Sequence, residues 1–210
     1  MGLLLNASQN PASLTAGCLG PGADARRAST WVQRWSHLVP AHGVVLDIAC
    51  GEGRHLAWFM ERGHRVVGVD RSAAALSGLG LPAERCQTVL ADIEQGPWPL
   101  QGRQFEAVVV TNYLWRPLLP TIAQSVAPGG VLLYETFGAA QARIGKPSRP
   151  EFLLQPGELL STFAGLRTVA FEDGWEAARD GRPERFVQRL VAVREAGQAV
   201  GAEPARHLLG

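Results

Sequence analysis

Lysine is almost missing from this 210-residue chain: of its 20 basic residues 19 are arginine, and Lys146 stands alone. Against 19 acidic residues they leave a formal charge of only +1. A balance this even supplies no general field for a polyanion, so no nucleic-acid partner is expected. Cysteine is scarce as well. Cys18, Cys50 and Cys86 are odd in number and far apart, which fits neither a disulfide framework nor a zinc cluster and suits a reducing, cytoplasmic setting. No apolar run approaches the roughly 18 residues of a membrane span, so no membrane partner is expected. Leu3-Leu4-Leu5 and Leu14-Thr15-Ala16-Gly17-Cys18 hint at a lipoprotein signal, but no basic segment precedes them and Asn6, Ser8, Gln9 and Asn10 break the run. The five histidines share no spacing that implies a metal. Internal repeats are also lacking. Length and a 46% hydrophobic content suit one ordinary α/β domain. We read residues 1–27 as a poorly ordered N-terminal tail, 28–196 as the domain and 197–210 as a C-terminal tail.

What the chain does have is an alternation of apolar strands and amphipathic helices. Val44–Ile48, Arg65–Val69, Cys86–Ala91, Phe105–Thr111 and Val131–Thr136 read as strands covered on both faces, as in a parallel sheet. Helices are expected at about 29–39, Arg54–Arg62, Ser72–Leu79, Pro117–Val126 and Glu158–Phe163, the fourth stopped by Pro128-Gly129-Gly130. Arg167–Glu172 and Phe186–Val193 read as two last strands. Trp31 and Trp35, four apart, share one helix face, which we expect to roof a ligand site.

The most informative stretch is Asp47-Ile48-Ala49-Cys50-Gly51-Glu52-Gly53 followed by Val66-Val67-Gly68-Val69-Asp70. A buried strand, a glycine turn opening a helix, and a second strand ending on a carboxylate together make the layout of a nucleotide site. Gly51 and Gly53 let backbone amides approach a ligand, and Asp70 can accept both hydroxyl hydrogens of a ribose. A dinucleotide fingerprint would place a third glycine where Leu56 stands. Asp47, just before the turn, would repel phosphates but suits a cation, such as the sulfonium and ammonium of S-adenosylmethionine.

On these residues the chain resembles the class I S-adenosylmethionine-dependent methyltransferases. The Asp-x-x-x-Gly-x-Gly motif falls on Asp47, Gly51 and Gly53, the second acidic position on Asp70, and the third on Asp92 in Val89-Leu90-Ala91-Asp92-Ile93. Ala127-Pro128-Gly129-Gly130 before an apolar strand is also typical. The resemblance implies a Rossmann-like, seven-stranded, mostly parallel sheet with helices on both faces and a C-terminal antiparallel strand pair. It implies S-adenosyl-L-methionine as cofactor, held by Asp47, Ala49, Gly51, Gly53, Asp70, Arg71, Asp92, Ile93 and Asn112. Phe152–Leu160 and Phe171-Glu172-Asp173-Gly174 resemble the end of the tellurite-resistance methyltransferase group. The chain departs from that group after this strand, where Trp175-Glu176-Ala177-Ala178-Arg179 replaces a His-Arg pair.

The acceptor must be read from groups at the carboxyl ends of strands four and five. Tyr113 and Arg116 are the catalytic candidates. No Asn-Pro-Pro-Tyr segment follows strand four, which argues against nucleobase or glutamine-amide nitrogen as the target. Trp31, Tyr113, Arg143, Lys146 and Arg149 are candidates for acceptor binding, the last three forming a cationic lid over an anionic acceptor. Cys50 reads as a small buried filler and His55 as a helix-start residue. The expectation is a monomeric or homodimeric methyltransferase acting on a small molecule. Two alternatives stay open, a cofactor-binding regulator without turnover and a nicotinamide-dependent dehydrogenase.

Overall fold

A computed structural model describes residues 27–179, 182–197 and 206–209. The N-terminal tail up to residue 26, Cys18 within it, and most of the expected C-terminal tail lie outside the described residues. The strands are β1 (Val44–Ile48), β2 (Arg65–Asp70), β3 (Cys86–Leu90), β4 (Phe105–Thr111), β5 (Val126–Phe137), β6 (Arg167–Glu176) and β7 (Arg185–Val193). They form one seven-stranded sheet in the order β3-β2-β1-β4-β5-β7-β6. β1 to β5 are parallel, and β7 runs antiparallel to both β5 and β6. The expected architecture is therefore present.

Period-two alternation sorts the strand residues onto two apolar layers. Leu46, Ile48, Val108, Val110, Leu132 and Tyr134 face one layer, closed by helix α4 (Leu119–Ser125) and helix α5 (Glu158–Thr162). Val45, Ala107, Val109, Val131 and Leu133 face the other, covered by helices α1 (Thr30–Trp35) and α2 (Arg54–Glu61). Each fully buried Leu, Ile or Phe on these layers contributes about 1.5–3 kcal/mol of hydrophobic stabilisation. The short helix α3 (Ala73–Ser77) is capped by Ser72, whose hydroxyl accepts from the Ala75 amide.

Some boundaries differ from the sequence reading. α1 ends at Trp35 and passes into a 3-10 turn, Ser36–Leu38. The expected helix ends at Ser125, just ahead of Pro128-Gly129-Gly130, but β5 begins at Val126, so that segment lies within the strand and not before it. The segment pairs with the end of β7: Gly129 N–H donates to the Arg194 carbonyl at 2.7 Å, and Arg194 N–H to Gly130 at 3.0 Å. A side chain at Gly130 would meet the Phe105 and Ala127 carbonyl oxygens at 2.9 Å. In the described part of the C-terminal tail a ring nitrogen of His37 bonds the Leu208 carbonyl at 3.0 Å.

Candidate functional site

Three residues at the end of β1 turn left-handed in alternation: Ala49 (φ 55°), Gly51 (φ 52°) and Gly53 (φ 70°). That conformation costs an L-residue roughly 1–2 kcal/mol, and Ala49 bears it because its neighbours fix the turn. Cys50 N–H donates to the Val69 carbonyl at 3.1 Å, and Gly53 N–H to the Cys50 carbonyl at 3.0 Å. A Cβ on Gly53 would lie 2.2 Å from Leu79 Cδ2, whereas one on Gly51 would meet nothing within 4 Å. Gly53 is thus required by packing, and Gly51 opens onto a crevice. Gly53 also caps α2 without a side-chain bond, leaving first-turn amides free.

Asp70 closes the turn from β2. Its Oδ2 accepts from Gly51 N–H and its Oδ1 from Ser72 N–H, both at 2.8 Å. Asp92 Oδ1 likewise accepts from the Glu94 and Gln95 amides at 3.0 and 3.1 Å. Each carboxylate keeps further lone pairs for a ligand. A cavity of about 410 Å³ runs over these strand ends, lined by Ala49, Asp70, Arg71, Asp92, Ile93, Asn112 and Tyr113 on one side and by Thr136, Phe137, Pro147 and Phe152 on the other. It shares Ala49 and Asn112 with a wider cleft of about 1090 Å³ that follows Gly51, Gly53 and Arg54 toward α3. Eight of the nine cofactor residues expected from the sequence line these two spaces, and the ninth, Asp47, lies beneath them.

Asp47 is buried at 1% exposure, and its Oδ2 has no hydrogen-bond partner. It lies 3.5 Å from His55 Nδ1, while His55 Nε2 accepts the Ser29 amide at 3.2 Å. An accepting Nε2 puts the proton on Nδ1, toward Asp47. The Ser29 hydroxyl donates to Glu135 Oε1 at 3.0 Å and caps α1 by accepting from Trp31 and Val32. Glu135, on β5, is held by Arg189 Nε at 2.5 Å and more loosely by Arg185. Arg189 reaches on to Glu172 and Glu176, both at 2.9 Å. Burial opposes the Arg189 charge, but these carboxylates outweigh it and push its pKa up. Arg54, half-buried at the head of α2, is lowered by burial although Glu135 and Asp47 pull the other way. Sequence reasoning missed Glu135, Ser29 and Arg189. The available signal was a charge inside each of two apolar runs, Val131–Phe137 and Phe186–Val193, and these two charges are register partners.

Several expected roles do not match the geometry. Trp31 roofs no opening: it is 3% exposed and packs edge-on to Trp35, centroids 5.7 Å apart, in the core beneath α1. Arg116 is occupied by Glu158 at 2.8 and 3.0 Å and by the Glu151 and Leu153 carbonyls at 3.0 and 2.8 Å, so it is a positioning residue and not a catalytic candidate. Arg143, Lys146 and Arg149 are exposed and line neither space. Arg149 pairs with Glu151 at 2.7 Å. What the lid turns inward is Pro147 and Phe152. Tyr113 does line the crevice, but burial, then Glu94, pushes its phenol pKa up, so it is a neutral group and not a base. For Cys50, burial and then Asp47 and Asp70 push the thiol up, as befits a filler. Among the described residues no cluster of His, Cys, Asp and Glu is arranged to hold a metal, and no helix is long and apolar enough to cross a membrane.

Residues 45–130 match the family model described as a methyltransferase domain. No curated protein matches the sequence at a significant level. Among solved structures, TehB from Haemophilus influenzae superposes with a TM-score of 0.63 at 16% identity, over 76% of this chain and 60% of that one. This chain therefore spans less than two thirds of that protein. A TehB-like methyltransferase from Corynebacterium glutamicum gives 0.57 at 17% identity, over 83% and 93% of the two chains. The glycopeptide N-methyltransferase MtfA, solved with sinefungin, gives 0.55 at 19%, over 79% and 92%. At such identities the likeness is one of fold. Residues 45–130 are thus similar to a methyltransferase domain, and the fold of the chain is that of TehB-like and other S-adenosylmethionine-dependent methyltransferase structures.

Proposed function

We propose that this protein is a methyltransferase that takes its methyl group from S-adenosyl-L-methionine and passes it to a small-molecule acceptor. The observation that carries the reading is the carboxyl-edge crevice, where a left-handed glycine turn, Asp70 and Asp92 lie over a buried carboxylate, Asp47, whose Oδ2 has only His55 Nδ1 near it, at 3.5 Å. Those groups fit the cofactor. Asp47 supplies negative potential beneath its cationic end, the Gly51 face admits it closely, Asp70 has lone pairs for ribose hydroxyls and Asp92 for the adenine amino group. When bound, the cofactor supplies a methyl group activated on a sulfonium. The chain's own task is then to align acceptor and methyl, which can lower a barrier by up to roughly 7–11 kcal/mol. Among the described lining residues none is a strong base, so the acceptor atom must be a competent nucleophile or lose its proton to solvent. Calorimetry with S-adenosylhomocysteine tests the site: micromolar binding that Asp70→Ala weakens at least tenfold is expected. Tight binding of a nicotinamide dinucleotide with none of S-adenosylhomocysteine would refute the reading.

A further inference from the structure

The two ends of the 410 Å³ cavity differ in chemistry. All the charge on its lining is at one end: Asp70, Arg71, Asp92 and Glu94, three carboxylates to one guanidinium. The other end, at the close of β5 and under the loop that follows, presents Thr136, Phe137, Pro147 and Phe152 and no charge. Phe137, Pro147 and Phe152 are each half-buried, with apolar surface left toward the opening.

The loop is built to hold that surface in place. Leu154 N–H bonds the Phe137 carbonyl at 2.9 Å and Ala139 N–H returns to Leu154 at 2.8 Å, so the base of the loop is closed. Leu153 and Leu154 are buried anchors. Arg116 grips the carbonyls of Glu151 and Leu153, one on each side of Phe152, while Glu158 fixes the guanidinium. The Tyr113 hydroxyl is buried at the charged end, beside Glu94 and then Asp92 and Arg71, and leaves the other end to apolar surface.

We propose that the Phe137–Pro147–Phe152 end is the acceptor site and that it selects an uncharged molecule carrying a flat ring. The inference rests on the methyltransferase reading, which gives the charged end to ribose and adenine. Aromatic side chains and a proline offer ring faces and edges to a planar apolar ligand. An anion placed there would meet no cation and would face the carboxylates of the opposite end. Small oxyanions and carboxylates are thereby rejected.

Shape-matched probes test this on the full-length protein. Calorimetry first establishes binding of S-adenosylhomocysteine; failure at this step overturns the methyltransferase reading and this inference with it. The loaded protein is then titrated with 4-ethylphenol, with 4-ethylbenzoate and with selenite, with saturation-transfer NMR used for the weakest ligand. 4-Ethylphenol should bind at least tenfold more tightly than either anion. Phe152→Leu, which keeps bulk and removes the ring, should weaken 4-ethylphenol at least fivefold and leave S-adenosylhomocysteine within twofold. With S-adenosylhomocysteine bound normally, three results overturn the acceptor assignment alone: absent 4-ethylphenol binding, equal or tighter binding of an anion, or a Phe152→Leu loss shared equally by S-adenosylhomocysteine.

Discussion

Replacing Asp70 separates two jobs that one carboxylate performs. Its two oxygens already accept the Gly51 and Ser72 amides, each at 2.8 Å, and a carboxylate has about four acceptor positions, leaving two for the hydroxyls of a ribose. Asp70→Asn keeps size and shape but turns one oxygen into an amide donor facing a backbone donor. Hydrogen bonds to a charged partner contribute about 1.5–3 kcal/mol, so S-adenosylhomocysteine affinity should fall roughly ten- to hundred-fold. Folding should lose less, about 1–2 kcal/mol, because in the free protein water can reach the Gly51 and Ser72 amides at the crevice. Calorimetry reads the first effect and a urea melt the second. A variant that melts early yet binds S-adenosylhomocysteine as the parent does would mean that Asp70 serves the turn alone, and the ribose assignment would fall.

Four further outcomes follow from the same geometry. Ala49→Gly removes a left-handed penalty of roughly 1–2 kcal/mol, partly offset by glycine's backbone entropy; a thermal melt should rise by about 1–4 °C, and a fall would mean that the Ala49 methyl packs usefully. Glu135→Gln breaks a buried ion pair and should cost about 3 kcal/mol in a denaturant melt, with Glu135→Gln/Arg189→Met costing less than the sum of its parts. For Glu158 and Glu176 burial raises the pKa, but Arg116 with the Gln155 amide, and Arg185 with Arg189, outweigh it and hold both below the usual 4.5. A lowered folded pKa means stability that is present above 4.5 and lost as pH falls through the folded values; Glu158→Gln should flatten this acid limb of the melting temperature, and an unchanged limb would refute the Arg116 contribution. Gly53→Val should unfold or expel Leu79, whereas Gly51→Ala should leave the melt within about 2 kcal/mol of the parent while blocking S-adenosylhomocysteine, because a Cβ there meets only the crevice.

The strand-turn-helix around Asp47 was legible because it is local: the residues that bend the chain and those that meet a ligand are the same few neighbours. The sheet order was legible for a related reason, since apolar runs at short spacing leave few right-handed ways to connect. The acceptor end was not. Arg143, Lys146 and Arg149 draw attention as charges on a long loop, but the direction of the loop is set by Leu153, Leu154 and the grip of Arg116, contacts that span up to 37 residues. Trp31 shows the same limit. Its shared face with Trp35 was correctly read from the four-residue spacing, yet spacing does not say whether a face meets a cavity or the core.

The row Glu135–Arg189–Glu172 crosses β5, β7 and β6 at matched register positions. A one-residue slip of β7 would carry Arg189 into an apolar layer and bring Leu190 or Gln188 opposite two stranded carboxylates. Losing one partner of a buried pair costs about 3–5 kcal/mol, which shifts the balance between correct and slipped pairing by two orders of magnitude or more. The three charges thus act as a proofreading device for the last pairing in the sheet. Because Glu135 also holds Ser29, a chain that closes its final hairpin out of step also loses the anchor for its first helix, leaving the misfolded form open at both ends of the sequence.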